Sequence, residues 1–105
     1  MDITTENKID GICVSPLSVI EDERGAVLHM LRADSPFFSG FGEIYFSEVN
    51  PGVTKGWKRH KLMSQHFAVP MGLIKLVVVD DRADSPTSGE IAEYILGRPD
   101  DYKLV

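Results

Sequence analysis

Cysteine is nearly absent. Cys13 is the single one in 105 residues, so neither a disulfide framework nor a cysteine-built zinc site is available. No apolar run approaches the ~20 residues that a membrane-spanning helix needs. The N-terminal MDITTENKIDG lacks the basic and apolar regions of a secretory signal, and a cytoplasmic location is the expectation these absences leave. Basic residues are in deficit: eleven Lys and Arg face sixteen Asp and Glu, a net charge of −5. Such a surface predicts no nucleic-acid partner and no membrane partner. Glycine-rich loops of the P-loop or dinucleotide kind are missing. No segment sustains the ~3.6-residue apolar period of a helix for three turns.

What is present is a series of short, alternating apolar segments separated by turn residues. The length suits one small domain with one core. Residues 1–10 are polar and read as a flexible leader, leaving 11–105 as a single domain. Gly11 to Ile20 is β-branched and interrupted by Pro16, which suits an edge strand or a bulge. Glu21 to Gly25 is a charged turn closed by glycine, and Ala26 to Leu31 resumes as a strand. Asp34 to Gly42 reads as a loop whose Phe37, Phe38 and Phe41 are expected to cap a core end, with binding of a partner as the alternative. Further strands are expected over Glu43–Val49, Val53–Arg59, Ser64–Val69, Leu73–Asp80 and Glu90–Leu96. Asp81 to Gly89 connects the last two, and Tyr102 to Val105 opens another strand. Leu73 to Val79, apolar on both faces apart from Lys75, is expected at the centre of a packed sheet. Many short strands at regular spacing predict an all-β sandwich or barrel.

One stretch organises the rest. Five residues separate Gly52 from Lys58, one separates Lys58 from His60, four His60 from Gln65 and six Gln65 from Gly72. Residues two apart on a strand share a face, so Lys58 and His60 point the same way, and Gln65 on the next strand can join them. This layout resembles the first cupin motif, in which His, His and Glu hold a metal. Here Lys58 replaces the first imidazole and Gln65 the carboxylate. The cupin (jelly-roll) scaffold is therefore expected, with no metal and no other cofactor.

Four patches extend the resemblance: Asp22-Glu23-Arg24-Gly25, Lys55-Gly56-Trp57 with its neighbours, Gly72 to Arg82, and Asp84-Ser85-Pro86-Thr87 with Gly89. Together they look like the cupins related to dTDP-4-dehydrorhamnose 3,5-epimerase and the sugar-nucleotide 3,4-ketoisomerases. The resemblance implies that Arg24 contacts substrate, and a guanidinium suits a nucleotide phosphate. Lys55 stands where the epimerases have an arginine, His29 where they have a glutamate, and Lys58 where they have the catalytic histidine. Against the ketoisomerases, the second histidine survives as His60 and a following glutamine as Gln65. The family's closing strands, with the epimerases' catalytic tyrosine, have no counterpart after Val105. This implies either a fragment of a longer product or a shortened protein whose barrel stays open or is completed by a partner. The family also implies a homodimer, and an incomplete sheet leaves edges that want partners.

Chemistry next to a carbonyl needs a base, a group that steadies the enolate and an acid that returns the proton. His60 is the candidate base, and Lys58 is the candidate enolate stabiliser. Arg24, His29, Lys55, Gln65, Lys75 and Tyr45 are candidate substrate contacts. Each has a plainer reading: a solvated basic hairpin for Lys58 to Lys61, a core-edge histidine for His29, packing for Tyr45 and Trp57. Two functions remain open from the sequence. One is a sugar-nucleotide epimerase or isomerase acting on a dTDP-4-keto-6-deoxyhexose for surface polysaccharide. The other is a non-catalytic cupin that binds a sugar nucleotide or a partner protein.

Overall fold

The computed structural model describes residues 8–61 and 63–105. The first seven residues of the expected leader lie outside them. Every regular element among the described residues is a strand, in the all-β class that the alternating pattern predicts. Six strands occur: β1 (Ser15–Pro16), β2 (Val19–Asp22), β3 (Gly25–Leu28), β4 (Leu73–Val79), β5 (Ile91–Gly97) and β6 (Lys103–Leu104). They pair antiparallel as β1 with β6, β2 with β3, and β4 with β5. The chain divides into two compact units, one of Met1–Met30 with His66–Val105 and one of Leu31–Gln65.

The first unit holds all six strands. In the β4–β5 hairpin, Ile74 faces Leu96, Leu76 faces Tyr94 and Val78 faces Ala92. Period-two alternation places these six on one side of the sheet. Ala92, Tyr94 and Leu96 are buried there with Ile9, and Ile12, Val14, Val69 and Val105 pack around them. Leu96 is fully buried, a placement worth roughly 1.5–3 kcal/mol over exposure. The buried Ile9 belongs to the segment expected to be a leader; its backbone neighbour Asp10 donates its N–H to Thr87 Oγ1 at 2.9 Å.

The other side of the same hairpin is not covered, which departs from the central-strand expectation for Leu73–Val79. There β4 pairs with β5 alone, and Leu73, Val79, Ile91 and Ile95 are exposed. An apolar run therefore marks a strand without fixing how many of its faces are buried. Gly97 closes β5 at φ 150°. A Cβ there would meet the Gly72 carbonyl oxygen and Leu73, so the close approach of the end of β5 to the start of β4 requires glycine.

β2 and β3 form a two-residue hairpin with Glu23 and Arg24 at its tip and Asp22 opposite Gly25. Asp22 accepts from the Arg24 N–H at 2.8 Å and from its guanidinium at 2.7 Å, the side-chain-to-backbone closure that makes Asp a turn residue. Pro16 sits on the short β1 strand opposite Lys103, in keeping with its edge role.

The second unit contains no strand among its described residues. The segments expected as strands at Glu43–Val49 and Val53–Arg59 are exposed throughout and form no ladder among the described residues. A strand needs a neighbour to take up its N–H and C=O groups, and alternation alone does not supply one. Of the third segment, Ser64–Val69, Phe67 exchanges two backbone hydrogen bonds with Val105, at 2.8 and 3.0 Å. The phenylalanines expected to cap a core do not all do so. Phe37 and Phe41 are exposed and Phe38 is half-buried.

Candidate functional site

The predicted site residues fall in both units. In the first, Arg24 stands at the β2–β3 tip, 83% exposed and ion-paired to Asp22. The guanidinium and amide of Arg24 hold the Asp22 carboxyl below its ordinary value. His29 follows β3 and is half-buried. Both of its backbone groups are engaged: its N–H donates to Ser18 O at 3.0 Å, and its carbonyl accepts from the Tyr102 hydroxyl at 2.6 Å. Lys75 lies on the uncovered side of β4 with its ammonium 3.8 Å from Glu93. It is exposed rather than set in a buried pocket.

In the second unit, Gln65 Nε2 lies 3.2 Å from His60 Nε2, so these two motif positions do come together. Gln65 also reaches Met63 Sδ at 3.8 Å. Lys55 donates to Ser47 Oγ at 3.1 Å. Lys58 and His60 are both exposed, as are Tyr45 and the 71%-exposed Trp57. The aromatics therefore pack less than the sequence suggests. No group of three or more His, Cys, Asp or Glu suited to a metal ion occurs among the described residues.

The most highly organised cluster is one that side-chain chemistry did not single out. Asp80 is buried at the end of β4. It accepts from Ser85 Oγ (2.6 Å), Thr87 Oγ1 (2.7 Å), and Arg82 Nε and Nη2 (2.8 and 3.0 Å). Arg82 Nη2 goes on to the Asp10 carbonyl at 2.7 Å. With Arg82 first and Ser85 next in effect, these donors hold the Asp80 carboxyl far below the usual carboxylate range. Arg82, Ala83, Asp84, Ser85, Pro86 and Asp10 line a shallow depression of about 410 Å³, which none of the predicted site residues touches. The signal for this cluster was the spacing Asp80, Arg82, Ser85, Thr87. It appears in the sequence as part of the family resemblance, and its physical role is to close the β4–β5 connection.

The chain as a whole matches a known structure closely. The crystal structure of a dTDP sugar isomerase from Desulfovibrio desulfuricans is 59% identical, covers 92% of the chain and superposes with a TM-score of 0.90. The chain is thus similar to a dTDP sugar isomerase in sequence and in fold. Two curated relatives agree. The probable low-salt glycan biosynthesis epimerase of Haloferax volcanii is 36% identical over 85% of the chain. The spore coat polysaccharide biosynthesis protein SpsL of Bacillus subtilis is 32% identical over 92% of it. No family model matches the chain. The chain spans about three fifths of the length of these proteins: 58% of the Haloferax protein, 64% of the Bacillus protein and 62% of the isomerase. The strands described above thus belong to a cupin-type fold, as the Gly52–Gly72 spacing predicts.

Proposed function

We propose that this cupin serves a sugar-nucleotide epimerase or isomerase acting on a dTDP-4-keto-6-deoxyhexose in cell-surface polysaccharide synthesis. The observation that carries the proposal is the 59% identity to the dTDP sugar isomerase over 92% of the chain; the names of the two curated relatives support the glycan context. In this reading His60 removes the proton α to the sugar carbonyl, and the Lys58 ammonium steadies the enolate that results. Arg24 and Lys55 meet the diphosphate, the first as a fork of donors and the second as a point charge. Gln65 orients the His60 ring, while His29, Tyr45 and Lys75 contribute further substrate contacts. Single domain organisation over 11–105, a homodimeric assembly and a cytoplasmic location complete the proposal.

A second reading, a cupin that binds the sugar nucleotide or a protein without chemistry, is favoured by two observations: lysine at position 58, where the epimerases have a histidine, and the exposure of Lys58 and His60. One experiment separates them. The protein is incubated with dTDP-4-keto-6-deoxyglucose in deuterated water and the sugar is followed by NMR. The enzyme reading expects deuterium at C3 or C5 and loss of at least ~90% of that exchange in His60→Ala, the ~10²-fold contribution of a general base being typical. Binding of dTDP without any exchange would leave only the binding module.

A further inference from the structure

The β2–β3 hairpin is short, with four residues paired to four, and Val19 and Leu28 are its only residues that are not exposed. An isolated two-stranded ribbon of that kind is marginal in water, so its placement depends on tethers from elsewhere. Three come from the Gly97–Val105 segment, and two of those belong to one residue. The Tyr102 carbonyl accepts from the Leu17 N–H at 3.2 Å, just before β2. The Tyr102 hydroxyl donates to the His29 carbonyl at 2.6 Å, just after β3. Arg98 adds a looser ion pair to Glu21 at 3.8 Å. Tyr102 itself is buried, and burial raises its hydroxyl above the ordinary tyrosine value. The phenol therefore keeps its proton and acts as a donor.

We infer that Tyr102 is the positioning residue of this hairpin: it grips both feet, and so fixes where the tip carries Arg24. The lever is long. Arg24 lies five residues from His29, about 16 Å at the rise of an extended strand, so a small rotation at the foot becomes a displacement of ångströms at the guanidinium. A bidentate contact to phosphate tolerates little of that. The link from Tyr102 to the hairpin stands on the geometry alone. The link from the hairpin to a ligand rests on the sugar-nucleotide reading.

The test is Tyr102→Phe in the 105-residue chain, which keeps the ring and removes only the hydroxyl. Amide hydrogen exchange across residues 17–29 should accelerate about tenfold, the size of one lost partly buried hydrogen bond, while amides of the β4–β5 pair keep their wild-type rates. In parallel, calorimetric titration with dTDP should show affinity weakened about fivefold in the variant, with the melting profile still cooperative. Equal acceleration of both hairpins would mean a general loss of stability and would overturn the assignment, as would no acceleration at all. A loosened hairpin with unchanged dTDP affinity would overturn the ligand role of the tip. Failure of the wild-type chain to bind dTDP would remove the sugar-nucleotide reading, and the exchange data would still decide the role of Tyr102.

Discussion

Two irregular stretches of this chain behave in opposite ways. The 80–90 connection has no regular structure, yet it is closed on itself. Asp80 collects donors from Arg82, Ser85 and Thr87, while Gly89 N–H donates to Asp80 O at 2.6 Å and Asp80 N–H to Glu90 O at 2.9 Å. The 41–61 stretch is just as irregular but exposed at every residue, with Phe46 at 90% and Trp57 at 71%. The difference shows that backbone without helix or strand is held in place when short polar side chains supply the missing partners. Aromatic content does not substitute for them. The first stretch belongs to the unit with the core, and the second to the unit that has no strand among its described residues.

That contrast is open to measurement. The largest effect should come from the core behind β5. Leu96→Ala is expected to cost about 3 kcal/mol in urea unfolding, within the usual range for truncating a fully buried leucine. A cost under about 1 kcal/mol would mean that the apolar side of β4–β5 is not the core. The next effect should come from Asp80→Asn, which turns an acceptor into a partial donor facing three donors; it should lower the melting midpoint by several degrees at neutral pH. The sign with pH follows from linkage. The folded carboxyl is depressed below its ordinary 3.8, so its contribution is fully present above about pH 4 and drains away as the pH falls further. Wild type should therefore lose stability below pH 4 more steeply than Asp80→Asn, and parallel acid profiles would show that the network is not closed in solution. The smallest effect is expected from Phe46→Ala, which removes a side chain that already meets solvent. Its unfolding free energy should change by no more than about 0.5 kcal/mol. A loss comparable to that of Leu96→Ala would dissolve the distinction between the two stretches.

The sequence made some of this architecture legible. Alternation and turn residues placed β4, β5 and the β2–β3 turn within a residue or two, because each carries its own pairing partner nearby. Segments whose partners were not implied by local pattern fared differently: Glu43–Val49 and Val53–Arg59 alternate like strands but meet no ladder in the described residues. The motif spacing groups Lys58, His60 and Gln65, and of these Gln65 Nε2 lies 3.2 Å from His60 Nε2. The same period-two logic put Lys75 beside Leu73 and Val77, where it stands with Glu93 in solvent. Tyr102 was invisible as a site residue, since its role depends on a carbonyl 73 positions away. Asp80 was hidden for a similar reason: its importance comes from donors of Arg82, Ser85 and Thr87 converging, not from any one neighbour.

The uncovered side of β4–β5 has one further consequence. Leu73, Val77, Val79, Ile91 and Ile95 would form an unbroken greasy ribbon were it not for Lys75 and Glu93 between them. Bound loosely at 3.8 Å and well exposed, the two contribute little to folding. Their value is as gatekeepers, keeping one ribbon from stacking on the next during synthesis and storage. Anyone tempted to improve this protein by exchanging that pair for valines would gain β-propensity and lose solubility.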